Sequence, residues 1–211
     1  MTEAVDSVQA LAARLLALSA QPRALVALVG APGSGKSHVA EELAARVNAE
    51  RPGRAAVLPM DGFHYDDGLL RELGRLAMKG APDTFDVGGL AATLRRLRGD
   101  EDAVAVPVFD RALEISRGAA RLIPRRTGLV IVEGNYLLLR EGAWAGLAPL
   151  FDLTVRLDVP EPVLRARLSA RWQGFGLDAA GVRRKLEEVD LPNGRKVAEA
   201  SAAPDLVLRN G

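Results

Sequence analysis

Residues 30–37 read Gly-Ala-Pro-Gly-Ser-Gly-Lys-Ser and fill the pattern G-x-x-x-x-G-K-[ST] at every fixed position. Gly30, Gly33 and Gly35 let backbone N–H groups turn inward as an anion nest, and a helix starting beside them adds the positive end of its dipole. Lys36 has the length to reach the β- and γ-phosphates of a nucleotide, and the Ser37 hydroxyl suits Mg²⁺. Ala31, Pro32, Ser34 and His38 complete the stretch expected to wrap ATP, although His38, just inside the helix, reads more simply as a solvated side chain. A glycine-rich turn with a solvated lysine is the bland alternative. The apolar run before the motif and the helical pattern after it argue against that.

Two carboxylates follow apolar runs of their own. Asp61 comes directly after "AAVLPM", and Glu133 ends "GLVIVE". In open parallel sheets the ligand lies beyond the carboxyl ends of the strands, so both acids are expected to face the phosphate cradle. A carboxylate at position 61 can take the proton of a hydroxyl as it attacks the γ-phosphate. Asp61-Gly62 is also an ordinary turn pair. Glu133 is placed near the metal or its waters, or else it ties down a neighbouring loop. No N-K-x-D guanine reader occurs, which removes a switch GTPase and leaves a kinase or a nucleotide-driven regulator.

Arg167 and Arg171 are four apart and share a helix face that runs into Gly174 and Gly176. On a closing segment near 165–180 they would neutralise charge in phosphoryl transfer and exclude water; a solvated basic face is the alternative. Trp172 and Phe175, flanking those glycines, read as packing for the segment. His64, three residues beyond Asp61, serves equally as a hydroxyl ligand or as loop packing. Arginine is cheap evidence in this chain: of 28 basic residues four are Lys, leaving 24 Arg, so each lysine counts for more.

The elements that must position these groups follow from periodicity. Helical spacing of Val5, Val8, Leu11, Leu15 and Leu18 predicts a leading helix over 4–19. Strands are expected at 24–29, 55–60, 128–133, 152–159 and 204–208, with another at 103–109 that Pro107 marks as an edge or a bend. Helices are expected after the phosphate loop to Glu50, around 69–76, over 90–98, 162–172 and 179–189, and at about 194–201. Strands alternating with helices predict an α/β fold: a P-loop NTPase three-layer α/β/α arrangement, a mainly parallel five-stranded central sheet and a helical lid, all in one domain.

Composition narrows the partners. With 211 residues, 48% hydrophobic content and net charge +1, the chain has core enough for one domain and no electrostatic case for nucleic acid or an anionic membrane. Cysteine is absent, and no apolar run reaches about 18 residues. A cytoplasmic protein without a membrane segment is expected, with a homodimer as the one macromolecular association left open.

Four blocks in order, Asp61-Gly62-Phe63-His64, "KGAPDTFD" (79–86), "VPVFDRALEISR" (106–117) and "VIVEGNYLLL" (130–139), resemble the P-loop kinase family of uridine kinase, pantothenate kinase and phosphoribulokinase. "DGFHYDD", "PDTFD" and "DLPNGR" look most like its fructose transport system kinase, nucleoside-kinase-like branch. The resemblance spans roughly 25–208. It implies Asp61 as catalytic base, Glu133 near Mg²⁺, Arg111 and less directly Arg117 toward the acceptor, lid arginines at 167 or 171, and Asn193 near the acceptor. Asn193-Gly194 is also a common turn. The chain has Asp-Gly-Phe-His where uridine kinases carry a Ser-Phe-Tyr type segment, and it lacks the long extra segments of pantothenate kinase, so a sugar, a nucleoside or a pantothenate-like alcohol each fits. The expectation is an ATP- and Mg²⁺-dependent kinase acting on a small-molecule hydroxyl; the alternative is a regulatory nucleotide-binding protein or ATPase without such an acceptor.

Overall fold

Alternate residues of the strand β2 (Ala24–Val29) enter different cores, which is what a buried sheet covered on both faces requires. Leu25, Ala27 and Val29 pack with Leu90, Leu94 and Leu97 of the helix α4 (Val87–Arg98), which follows the short helix α3 (Asp67–Glu72), and with Trp144 and Leu147. Val26 and Leu28 pack on the opposite face with Leu11 and Leu15 of α1 (Val8–Leu18) and Val39, Leu43 and Val47 of α2 (Lys36–Glu50). This is a three-layer arrangement. The computed structural model describes residues 2–20 and 22–210.

The sheet joins β1 (Glu3–Val5), β8 (Leu206–Arg209), β7 (Leu153–Asp158), β2, β6 (Leu129–Gly134) and β3 (Ala55–Pro59) in that order, every pairing parallel. Among the described residues it has six strands, not the five expected. The additional one is the N-terminal segment: Glu3–Val5 pairs with Leu206–Leu208, and the leading helix starts only at Val8, capped by the Ser7 hydroxyl. Helical spacing misassigned Val5, whose buried side chain joins the core from a strand.

A second departure concerns 103–124. The strand β4 (Ala103–Asp110) does not join the central sheet. It pairs antiparallel with β5 (Ile115–Pro124) as a separate two-stranded ribbon, and the register slips between Val106 and Val108, around Pro107. Pro107 thus bends the strand, as its missing N–H demands. The turn between β4 and β5 hangs over the end of β3.

After β7 come α5 (Glu161–Gly174) and a long helical run made of α6 (Ala179–Arg184), a π-helical stretch Lys185–Asp190 and α7 (Leu191–Ala200). Leu164, Leu168, Val182, Leu186 and Leu191 form their shared apolar cluster.

Candidate active site

Strand β6 lies between β2 and β3, and its register sets Glu133 level with Leu28 on one side and Pro59 on the other. Neighbouring strands stand about 4.8 Å apart, so the ends of β2 and β3 are separated by roughly 10 Å with Glu133 between them. The phosphate loop leaves β2 and Asp61 leaves β3, in the short 3₁₀ turn Met60–Phe63. Three polar groups far apart in sequence therefore converge at one edge of the sheet.

The loop over residues 30–35 takes left-handed backbone at Gly33 (φ 79°) and Gly35 (φ 85°), conformations that a Cβ would strain. A Cβ on Gly33 would also lie 2.8 Å from Leu168 Cγ. Lys36 Nζ donates to the Ala31 carbonyl at 3.4 Å, and Ser37 Oγ donates to Glu133 Oε1 at 3.0 Å. Pro32, Gly33, Gly35, Lys36, Ser37 and His38 line a cleft of about 410 Å³. Gly30, Ala31 and Ser34 line the opposite side of the loop, where the Ser34 hydroxyl is buried with no hydrogen-bond partner.

Asp61, His64 and Arg111 meet across the cleft from Lys36. The Arg111 guanidinium, carried on the β4–β5 turn, donates to the Asp61 carboxylate. His64 Nδ1 donates to the Asp61 carbonyl at 2.8 Å, and its ring packs tilted against Phe85 and Phe109, with centroids 4.0 and 4.9 Å away. Burial pushes the Asp61 carboxyl up, but His64 in its protonated form, Arg111 and Lys36 together outweigh it and hold its pKa below the ordinary value. Burial raises the Glu133 pKa, with repulsion by Asp61 adding to it against the pull of Lys36. Burial lowers the Lys36 ammonium, despite Glu133 and Asp61.

From the third side come α5 and the π-helical stretch. Arg167 Nη1 donates to the carbonyls of Ser34 (3.4 Å) and Asn210 (3.3 Å), and Asn210 Nδ2 donates to Ser34 O at 2.8 Å. Arg171 lies over the rings of Trp172 and Phe175, at 5.2 and 5.9 Å from their centroids. Trp172 Nε1 donates to Asp190 Oδ2 at 2.7 Å. Asn193 is in the first turn of α7, not in a β-turn, and its Nδ2 lies 3.5 Å from the Gly80 carbonyl, which also accepts from Tyr136 Oη at 2.7 Å. Arg117 is turned away onto Asp110 at 3.2 Å and does not line the cleft.

Several lining residues escaped the sequence reading: Lys79, Phe85, Phe109, Asn135, Lys185 and Asp190. A signal for two of them was present. Of the four lysines in the chain, Lys36, Lys79 and Lys185 all line this cleft. The π-helical stretch, a distortion often found at functional sites, carries Lys185 and Asp190 to it and leaves no mark in local periodicity.

Ser37 and Glu133 offer a hydroxyl and a carboxylate in contact, with Asp61 close enough to repel Glu133. Hard oxygen donors of this kind fit Mg²⁺, which keeps most of its waters and needs few protein ligands. Among the described residues no cluster of three or more His, Asp or Glu forms an all-protein cage, and no helix is long and apolar enough to cross a membrane.

No family model matches the chain. Its sequence is 34% identical over 204 residues to a protein of Schizosaccharomyces pombe that bears the provisional name of uridine kinase, covering 91% of this chain and 85% of the relative. It is 31% identical over 155 residues to the pantothenate kinase of Rhodopseudomonas palustris; that match covers 70% of this chain and about half (49%) of the longer relative. A crystal structure from Silicibacter sp. TM1040, provisionally named a fructose transport system kinase, superposes with a TM-score of 0.88 at 38% identity, over 96% of this chain and 99% of the other.

Proposed function

The chain belongs to the P-loop kinase family of uridine kinase and pantothenate kinase, and we propose that it transfers the γ-phosphate of ATP to a hydroxyl of a small metabolite with Asp61 as the base. One observation carries this reading: Asp61 and Lys36 face one cleft from the ends of two strands, with Glu133 on the strand between them. Such spacing suits a phosphoryl group passing between a nucleotide on the loop and an alcohol beside the carboxylate.

Residues 30–37 would wrap the triphosphate, with Lys36 offsetting the charge on its β- and γ-phosphates. Ser37 and Glu133 would hold Mg²⁺, which when bound neutralises charge on the bridging oxygens. Asp61, ionised well below neutral pH, takes the acceptor's proton as the oxygen attacks. His64, Arg111 and Asn193 border the acceptor's space. Arg167 already engages the phosphate loop, and Arg171 is in no ion pair among the described residues, so α5 and the turn after it would serve as the lid over 165–180.

The test is a panel of sugars, nucleosides and hydroxy acids with Mg·ATP, following ADP and identifying the product by mass. Asp61→Asn is expected to lower transfer by about 10³-fold or more while ATP binding persists. ADP forming at one rate whatever is added, in wild type and Asn variant alike, would instead favour a regulatory nucleotide-binding protein.

A further inference from the structure

The proposed base is not free in this structure. Asp61 is ion-paired with Arg111, and a carboxylate whose lone pairs are taken by a guanidinium is a poor proton acceptor. We infer that the acceptor carries an anionic group, a carboxylate or a phosphate, which draws Arg111 away from Asp61 and so frees the base. This rests on the kinase reading and names the class of molecule that reading left open.

The two partners differ in freedom. Asp61 is fixed between the buried Met60 and Phe63, and the carbonyl of Gly62 accepts from Ser116. Arg111 sits at the β4–β5 turn, whose backbone Asp110 Oδ1 holds by accepting from Ala112 N (3.1 Å) and Leu113 N (3.2 Å). The Arg111 side chain is 48% exposed and, among the described residues, is held by Asp61 and the Phe109 ring alone, 5.6 Å from its centroid. Of the pair, the guanidinium is the one able to swing.

The surroundings are built for a second anion. Lys79 Nζ lies 5.3 Å from the centroid of that same Phe109 ring, tethered to Asp67 Oδ1 at 2.6 Å and the Glu114 carbonyl at 2.7 Å. Arg171 and Lys185 line the same cleft and are in no ion pair among the described residues. Burial, then repulsion by Arg111, lowers the Arg171 pKa against the weaker attraction of Asp190, Asp61 and Glu114, so Arg111 and Arg171 are close enough to feel each other's charge. Of the other lining carboxylates, Glu133 accepts from Ser37 and burial raises its pKa; Asp190 is engaged by Trp172 Nε1 and burial favours its neutral form; Glu114 is exposed at the rim.

A neutral alcohol would have to break the ion pair without replacing it. An anionic one exchanges one partner of Arg111 for another, at small net cost. The step then balances: the acceptor oxygen bonds to the γ-phosphorus, the bond from that phosphorus to the bridging oxygen breaks and leaves with ADP, and the hydroxyl proton passes to Asp61.

The experiment first fills the loop with Mg²⁺ and the imido analogue of ATP, then titrates acetate, methyl phosphate and neutral glycerol against protein labelled for side-chain NMR. Failure of the analogue to bind would strike the kinase reading itself. With it bound, acetate or methyl phosphate should saturate, move the Arg111 Nε resonance and raise the Asp61 carboxyl titration, and Arg111→Gln should weaken that binding about 10-fold or more. The preferred probe distinguishes carboxylate from phosphate. Should neither anion bind wild type more tightly than the variant, or should the Asp61 titration stay put as they bind, the inference is overturned. A second reading needs no ligand: Arg111→Gln should raise ATP hydrolysis in the absence of acceptor several-fold, and an unchanged or lower rate counts against the masking.

Discussion

Ser37 Oγ donates to Glu133 Oε1 at 3.0 Å, joining the start of α2 to the end of β6 across 96 residues of sequence. The bond fixes the two oxygens proposed for the metal on adjacent, rigid elements. It also explains how a buried carboxylate is tolerated beside Asp61, since Ser37 and the charge of Lys36 both offset its desolvation.

Glu133→Gln is expected to keep this hydrogen bond, because the amide oxygen still accepts, while removing the charge. Transfer should fall about 10- to 100-fold and the Mg²⁺ requirement should move to higher concentration. Nucleotide affinity measured without metal should change little. Turnover at an unaltered Mg²⁺ midpoint would remove Glu133 from the metal site.

His64 should be neutral at pH 7. Burial lowers its pKa below the ordinary 6.5, and Lys79 and Arg111 add to that against the attraction of Asp61. A lowered folded-state value means that the stability this residue contributes is complete above pH 6.5 and is lost as pH falls through the lower folded value. The Asp61 carbonyl can only accept, so the proton resides on Nδ1. Nitrogen NMR should find that tautomer persisting below pH 6.5; a His64 charging at or above 6.5 contradicts the assignment.

Trp172→Phe should cost about 1–3 kcal/mol, because Asp190 loses the indole donor in a site that burial already makes unfavourable for its charge. Asp190→Asn, which keeps an acceptor oxygen, should cost less. Urea unfolding of the two variants gives the comparison. Equal losses would show that the hydrogen bond contributes nothing of its own.

Gly62→Ala tests why glycine follows the proposed base. A Cβ there would lie 2.7 Å from the Pro107 carbonyl oxygen, so the ribbon carrying Arg111 must shift. Overpacking of this kind costs about 1–3 kcal/mol, and acceptor phosphorylation should fall more than ATP binding does. A variant with wild-type stability and turnover would show that the close approach is not needed.

The phosphate loop, Asp61 and Glu133 were legible in the sequence for one physical reason. Each directly follows or ends a short apolar run, and buried parallel strands must be apolar throughout, so the first polar residues beyond them mark the ligand edge. The helices α2 and α4 were legible from the spacing of their apolar residues, which here line the two cores.

The acceptor side was not, because long-range pairing makes it. The strand β5 has an outer face left mostly exposed and an interruption at Gly118-Ala119, so "ISRGAARLIP" carries neither clean alternation nor an apolar run. Only its antiparallel pairing with β4 turns residues 103–124 away from the central sheet and brings Arg111 onto Asp61. Likewise the parallel bond of Glu3–Val5 to β8, and the π-helical turns that bring Lys185 and Asp190 inward, depend on neighbours more than 100 residues off or on packing against α5. Local sequence thus determined that the phosphate-loop motif, Asp61 and Glu133 stand together at the carboxyl end of the sheet, lining one cleft. Which cations line the far side of that cleft was decided by tertiary contacts, since no local pattern records which distant strand or ring a long, flexible Lys or Arg will meet.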